Sequence, residues 1–305
     1  MLVMPASAKQ VPQYIAMAFD GSKSLEMWQQ SLDFAAANDI KFTYFVSGVY
    51  FLIDDNAGYY QGPRRNRGRS DIGFGGTAEE VEMRIAFVRR AFQEGHEIAS
   101  HANGHWNGAN WSKDEWLSEL GQFQDIMANT HEINGISNIN KREWRRIVAS
   151  ITGFRAPLLA GGANMRSALS DLGYTYDTSQ TANRNYWPQK TNSGLWNFPL
   201  ASLPMGRGSV LSMDYNFYVL HKTSGSAPRT SMERAYRRYF NNNYNGARAP
   251  MHIGHHFARW RRGAYWQALK NFAIEACAGE DVVCGTYKGL EDLMGRVVFP
   301  VESAK

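Results

Sequence analysis

Short apolar strand runs that end on a polar or charged residue, each followed by a helical stretch, constrain this chain more than any other feature. Tyr14–Phe19 (YIAMAF) runs into Asp20. KFTYFVSG (41–48) has the aromatic and β-branched residues of a second strand, and HEIAS (96–100) runs into His101. Between them lie LEMWQQSLDFAAAND, with Ser24 placed to cap it, and TAEEVEMRIAFVRRAFQEG, where Thr77 and Glu80 have capping-box spacing. WSKDEWLSELGQFQDIMANTHEIN repeats the device with Ser112 and Glu115. ITGFRAP, YTYDTS, SVLSMDYNF and APMHIGHHF are further strand candidates; NMRSALSDLG is a helix closed by Gly173, and YWQALKNFAIEAC is a late helix. Such alternation over 305 residues, with no internal repeat or linker, predicts one α/β domain, either a barrel or a doubly wound sheet. Both architectures put chemistry at the C-terminal ends of strands, where Asp20 and His101 fall.

His101 and His105 lie four apart in GHEIASHANGHWNG. A helical turn between them would put both imidazoles on one face, where a single metal ion can bridge them. His96 reads as a structural strand histidine, and His131 and His221 as surface residues. YYQGPRRNRGRSDIGFGG (59–76) has no clear period and reads as a functional or shielding loop. Other arginine clusters are KREWRR (141–146), RAYRR (234–238) and RWRR (259–262). Within a net charge of only +5 these are solvated faces, or a means of attracting an anionic surface such as cell wall; no nucleic-acid module accompanies them. An apolar fraction of 44% with 20% charged residues excludes a disordered chain, and no apolar run is long enough to span a bilayer.

Cys277 and Cys284 lie seven apart in ACAGEDVVCG, as two unrelated thiols or as a small disulfide loop, which would belong outside the cytosol. Ala6-Ser7-Ala8 has the small-x-small pattern of a signal-peptidase site behind an apolar stretch too short for a full signal. Residues 1–10 thus read as a signal-peptide remnant and 11–305 as a single domain, with an exported protein, periplasmic or secreted, as the expectation.

Taken in order, these segments resemble the motifs of the NodB-homology polysaccharide deacetylases, carbohydrate esterase family four, from about Tyr14 to the late helix. The resemblance implies a deformed (β/α) barrel and metal-dependent hydrolysis of N-acetyl groups on sugars. Ala18-Phe19-Asp20-Gly21 matches a motif ending Phe-Asp-Asp-Gly, with one aspartate where the family has two, a general base and a metal ligand. His101 and His105 take the positions of the family's metal-binding histidines. Gly153-Phe154-Arg155-Ala156-Pro157 resembles the third motif, placing Arg155 beside the base and Pro157 in the groove wall. Asp214 and Phe217 stand for an aspartate and a tryptophan, with Asp214 the expected partner of Arg155. Ile253 and His255 stand for a leucine that lines the acetyl pocket and the histidine acid, although His256 or His252 could be the counterpart.

A lone carboxylate near a metal cannot be optimal both as ligand and as base. Asp20 is therefore assigned to a divalent ion, Zn²⁺ by preference, together with His101 and His105, and Asp71 in the long loop is a candidate base. The backbone N–H of Leu158 would stabilise the oxyanion and His255 would protonate the amine, with peptidoglycan the first choice of polymer and chitin the second. Two other readings share these residues: hydrolysis of a small non-sugar amide, and a glycan-binding pseudo-deacetylase, favoured by the missing second aspartate.

Overall fold

A computed structural model describes residues 11–221 and 226–296, so the signal-peptide remnant assigned to 1–10 lies outside the described residues. The chain opens with strand β1 (Gln13–Gly21) and helix α1 (Leu25–Asn38), where Ser24 accepts the Met27 N–H at 3.3 Å. Next come β2 (Thr43–Val46), α2 (Ala78–Gln93), β3 (Glu97–Ser100) and α3 (Lys113–Ile133). Thr77–Glu80 and Ser112–Glu115 form reciprocal capping boxes on α2 and α3, as their spacing predicts. The middle of the chain holds α4 (Lys141–Ala149), β4 (Gly153–Phe154), α5 (Ala163–Asp171), β5 (Tyr176–Asp177), β6 (Thr181–Asn183) and β7 (Gln189–Lys190). It continues through β8 (Trp196–Asn197), β9 (Leu200–Met205), β10 (Gly208–Leu211), α6 (Asp214–Leu220) and α7 (Ser226–Tyr244). The last elements are β11 (Met251–His256), α8 (Trp260–Ala276), β12 (Val282–Gly285) and α9 (Tyr287–Arg296).

The main sheet runs β11-β1-β2-β3-β4-β5-β8-β7, parallel as far as β8, with β12 paired to the first half of β1. β9 and β10 continue it as a small second sheet with β6. A single parallel bridge, Met213 to Gly254, then brings that sheet back to β11, with the Gly254 N–H donating to Ser212 O at 2.9 Å. The result is a deformed (β/α) barrel closed by one bridge instead of a full ladder. A Cβ at Gly254 would stand 2.7 Å from Met213 Cε and 3.3 Å from Arg155 Nη1, so a larger residue would have to push the Met213 side chain aside.

Alternation along β1 sorts the core. Ile15, Met17 and Phe19 face the helices and pack with Trp28, Leu32 and Trp266. Tyr14, Ala16 and Ala18 face the barrel interior, which Phe45, Tyr176, Phe198 and Tyr287 fill with rings. Trp28 is fully buried, and its truncation to alanine should cost about 3–5 kcal/mol. Deep in the barrel Glu97 accepts from Tyr176 Oη at 2.7 Å, Thr43 Oγ1 at 2.8 Å and the Lys288 N–H at 2.9 Å, while burial pushes its pKa up.

Two expectations change, and two helices are added. SVLSMDYNF is a strand only through Leu211, because α6 begins at Asp214. The arginine clusters KREWRR and RAYRR are parts of helices α4 and α7, the first with Asn140 accepting the Glu143 N–H. His131 is buried on α3, not at the surface. Cys277 and Cys284 do form a disulfide, tying the end of α8 to β12 with Cα atoms 5.7 Å apart.

Candidate active site

Strand ends bring the site together. β1 ends on Asp20, β3 leads into His101, β4 into Arg155, and β11 ends on His256. The β1–β11 register sets Asp20 beside His256 and Phe19 beside His255. In a parallel pair, residues in register point to the same face. His256 therefore shares the cleft with Asp20, and His255 shares the helix-facing layer with Phe19.

Asp20 is buried, and Arg155 Nη1 donates to its Oδ1 at 2.7 Å. The guanidinium is aimed by its other bonds, from Nε to Thr178 Oγ1 at 2.8 Å and from Nη2 to Tyr287 Oη at 3.1 Å, and it lies 4.4 Å from the Phe45 ring centre. Burial alone would raise the Asp20 pKa, but Arg155, with help from His101 and His256, holds it below the ordinary carboxylate value. Asp20 is thus a fixed carboxylate with one oxygen engaged. Gly21 follows at φ 90°, a left-handed conformation that suits glycine where the family motif continues with a second aspartate.

The histidine pair is assembled differently from the expected helical turn. Residues 101–105 form an irregular turn with Ala102 at φ 53° and His105 at φ 60°. Asn103 secures it, its N–H donating to buried Glu119 Oε1 at 2.9 Å and its Nδ2 to Glu119 O at 2.7 Å. The two imidazole centres stand 5.3 Å apart. His101 Nδ1 lies 2.8 Å from Arg155 O, and since a carbonyl only accepts, Nδ1 carries the proton and Nε2 keeps its lone pair. Burial pushes the His101 pKa down to about 3 and lowers that of His105 as well, so both rings are neutral near pH 7.

Asp214 starts α6 with both oxygens engaged. Oδ1 accepts from His256 Nδ1 at 2.7 Å and from the Tyr215 N–H at 2.7 Å, and Oδ2 accepts the His256 N–H at 2.9 Å. Burial opposes the charge on His256, yet Asp214 outweighs it and raises the pKa, leaving His256 with Nδ1 protonated against the carboxylate.

Asp20, His101, His105 and His256 border a cleft of about 600 Å³ whose apolar walls include Leu158, Leu159, Leu211, Met213 and Phe257. Leu158 is 60% exposed at φ 57° in the turn after Ala156, ahead of the bonds that Leu159 and Ala160 donate back into it. Trp260 and Tyr215 form an aromatic rim, with ring centres 5.5 Å apart. The aromatic residues of RWRR and DYNF were visible in sequence, but their convergence depends on α6 folding beside β11.

Several expected placements are corrected. His255 faces away from the cleft, with Nε2 3.1 Å from Tyr236 Oη and its pKa pushed by burial down to about 4. Ile253 and Phe217 are fully buried in the helix-side core and do not line the cleft. His252 faces the barrel interior, stacked 5.6 Å from Tyr287. Arg155 pairs with Asp20, not Asp214. Asp71 lies on the loop, its N–H bonded to Gly104 O at 2.9 Å; its charge acts on His105, but the neighbouring Ile72 is what lines the cleft.

Among the described residues no group of three or more His, Cys, Asp or Glu side chains is gathered closely enough to hold a metal ion. The histidine pair fits one nevertheless: two neutral imidazoles, with His101 oriented by the carbonyl bond typical of a ligating histidine. Asp20, with Oδ1 given to Arg155, has Oδ2 left to face either a metal ion or its water.

The model of a family described as polysaccharide deacetylase matches residues 7–176. No curated protein is similar enough in sequence to match. A Mycobacterium smegmatis structure assigned as a polysaccharide deacetylase aligns over 100% of this chain and 98% of its own, at 14% identity and TM-score 0.61. Peptidoglycan deacetylase PdaC from Bacillus subtilis aligns over 93% of each chain at 13% identity and TM-score 0.51. A family 4 acetyl xylan esterase from Clostridium thermocellum, in complex with a cobalt ion, aligns over 92% of each at 16% identity and TM-score 0.51. At these identities the structural likeness is one of fold. The family match spans more than half of the chain and includes Asp20, His101, His105 and Arg155: the chain belongs to the polysaccharide deacetylase family.

Proposed function

We propose that the chain hydrolyses N-acetyl groups on an aminosugar polymer, with peptidoglycan as the polymer, releasing acetate and leaving a free amine. The observation that carries this reading is two ion pairs, the buried Asp20–Arg155 and the half-buried Asp214–His256, whose Asp20 and His256 line one cleft with His101 and His105. The lowered pKa keeps Asp20 an ionised proton acceptor and the raised pKa favours the protonated form of His256, the starting states of base and acid in amide hydrolysis.

Asp20, held through Oδ1 by Arg155, would take a proton from the attacking water on Oδ2. The Leu158 N–H would donate to the oxygen that gains charge as the carbonyl becomes tetrahedral. His256 would give its Nε2 proton to the amide nitrogen as the C–N bond breaks, while Asp214 supports the imidazolium. Trp260 and Tyr215 offer faces for the sugar ring. A divalent ion of the Zn²⁺ type would be held by His101, through Nε2, and by His105, and would polarise the carbonyl and acidify water. We further propose that the protein is exported, a reading that the Cys277–Cys284 disulfide supports.

Acetate release tests the reading, with peptidoglycan, chitin oligomers and small linear or cyclic amides offered to protein supplied with Zn²⁺, Co²⁺ or chelator. Release from peptidoglycan that stops on chelation is the expected result. Turnover confined to small amides would give the other enzymatic reading, and glycan binding without acetate under any metal would give the pseudo-deacetylase.

A further inference from the structure

Of the four arginine clusters, one lines a groove of its own. In the first, Arg64 is spent in a bond pair to Glu115 and Arg65 covers Trp106 at 4.3 Å. KREWRR lies on α4, where Arg145 Nε donates to the Lys141 carbonyl at 3.3 Å, and in RAYRR Arg237 bonds Glu275. RWRR is different. Arg259, Arg261 and Arg262, joined by Arg229 and Lys270, line a groove of about 880 Å³ between α1 and α8 in which Asp33 is the single carboxylate among the described residues.

That carboxylate is already engaged, by Arg90 at 3.0 Å and by Gln29. Two of the cations have partners at the margin, Arg259 with Glu26 at 2.7 Å and Arg229 with Glu233 at 3.8 Å. Arg261 bonds the His221 carbonyl and Lys270 lies 5.5 Å from the Trp266 ring centre, and neither contact neutralises charge. Arg262 is exposed. The backbone that presents them is unusual as well. Arg261, Arg262 and Gly263 take consecutive left-handed conformations, at φ 53°, 57° and 79°. Such a run persists only where the surroundings hold it, and two of its members are non-glycine residues that disfavour it. The same segment walls the cleft, to which Phe257, Ala258 and Trp260 contribute. One stretch of chain therefore separates the cleft from the groove.

We propose that this groove is a second binding site, for the oxyanion groups of a polymer whose sugar occupies the cleft, so that the favoured substrate is an anionic glycan and not a neutral one. The proposal rests on the deacetylase reading for the occupant of the cleft, but the groove's own chemistry asks only for carboxylates or phosphates spaced along a chain. Guanidinium groups suit both through paired N–H donors. Arg261, Arg262 and Lys270, which share this concave surface and have no acidic partner among the described residues, lower the cost of bringing such groups in from water.

Binding is measured without turnover, so that this proposal can fail independently of the catalytic one. Wild-type protein and the R262Q/K270Q variant are titrated with three probes of equal length: glycan strands bearing free carboxylates, the same strands with carboxylates amidated, and a poly(glycerol phosphate). Wild type should bind the carboxylate strands at least tenfold more tightly than the amidated ones, and more weakly as salt rises from 0.05 to 0.5 M (probe conditions at which screening lengths fall below about 10 Å). The variant should lose most of that difference while binding amidated strands unchanged. Preference for poly(glycerol phosphate) would keep the site and name phosphate as the source of the anion. Equal binding of charged and amidated strands by wild type, with no salt dependence, would overturn the proposal. Should R262Q/K270Q fail to fold by thermal unfolding, R262Q alone, at an exposed position, decides by the same comparison.

Discussion

His255 and His256 are neighbours on one strand and both approach Asp214, yet they occupy opposite chemical worlds. His256 meets Asp214 at 2.7 Å, is 26% exposed in its side chain, and has its pKa raised. His255 stands 3.6 Å from the same carboxylate on the helix side, packs against Phe19 and Tyr236, and is driven neutral by burial. The difference lies in which face of β11 each side chain joins. Alternation decides which imidazole can carry a proton to the cleft, and Asp214, placed by α6, raises the pKa of that imidazole.

The largest effect should follow from the partner half of the site. Asp20→Asn keeps the shape and an acceptor for Arg155 but removes the base. We expect turnover to fall by about 10²–10⁴ with metal content unchanged, whereas His101→Ala and His105→Ala should lose tight metal binding with the fold intact. Metal analysis beside acetate release separates the roles. If Asp20→Asn loses its metal as readily as His101→Ala does, Asp20 is a ligand and the division between base and metal donors is wrong.

The buried histidines give the comparison a pH signature. His96, His252 and His255 have pKa values pushed by burial down to about 4, 3 and 4. The fold favours their neutral forms, so below an unfolded value of about 6.5 the unfolded chain binds more protons and stability falls with falling pH. Each should contribute a slope of about 1.4 kcal/mol per pH unit between about 6.5 and its folded pKa. Denaturant midpoints across that range check it, and His255→Phe should flatten the slope while His256→Phe should not.

A smaller effect is expected from the disulfide, which lies far from both imidazoles. Cys277→Ser should lower stability by about 2–3 kcal/mol, as expected for a short closed loop. Turnover at a temperature well below unfolding should not change. A large loss of turnover instead would mean that β12, through its pairing with β1, carries strain to Asp20.

What could be read from the sequence follows from how local its causes are. The caps on α1, α2 and α3 are set by residues three apart, and those helices begin where Ser24, Thr77 and Ser112 say. β1 and β3 are apolar runs with a polar end, and Asp20 and His101 sit at those ends. The face of β11 was not legible, because His252, His255 and His256 occupy both faces and the register with β1 is a tertiary fact. Nor was the partner of Arg155, which lies 135 residues away at Asp20. α7 escaped because its polar, arginine- and asparagine-rich sequence hides an apolar stripe that includes Met232, Tyr236 and Tyr239.

The most direct test of the account compares His256→Ala with His255→Ala for acetate release, each variant checked for its unfolding midpoint and metal content. The account predicts a loss of about 10²–10⁴ in turnover for His256→Ala with little loss of stability. For His255→Ala it predicts a clear drop in midpoint, from the cavity left beside Phe19 and Tyr236, with turnover near that of the parent below that midpoint. The reverse pattern, with His255→Ala inactive and His256→Ala near normal, would contradict the assignment of the proton donor and with it the site as drawn.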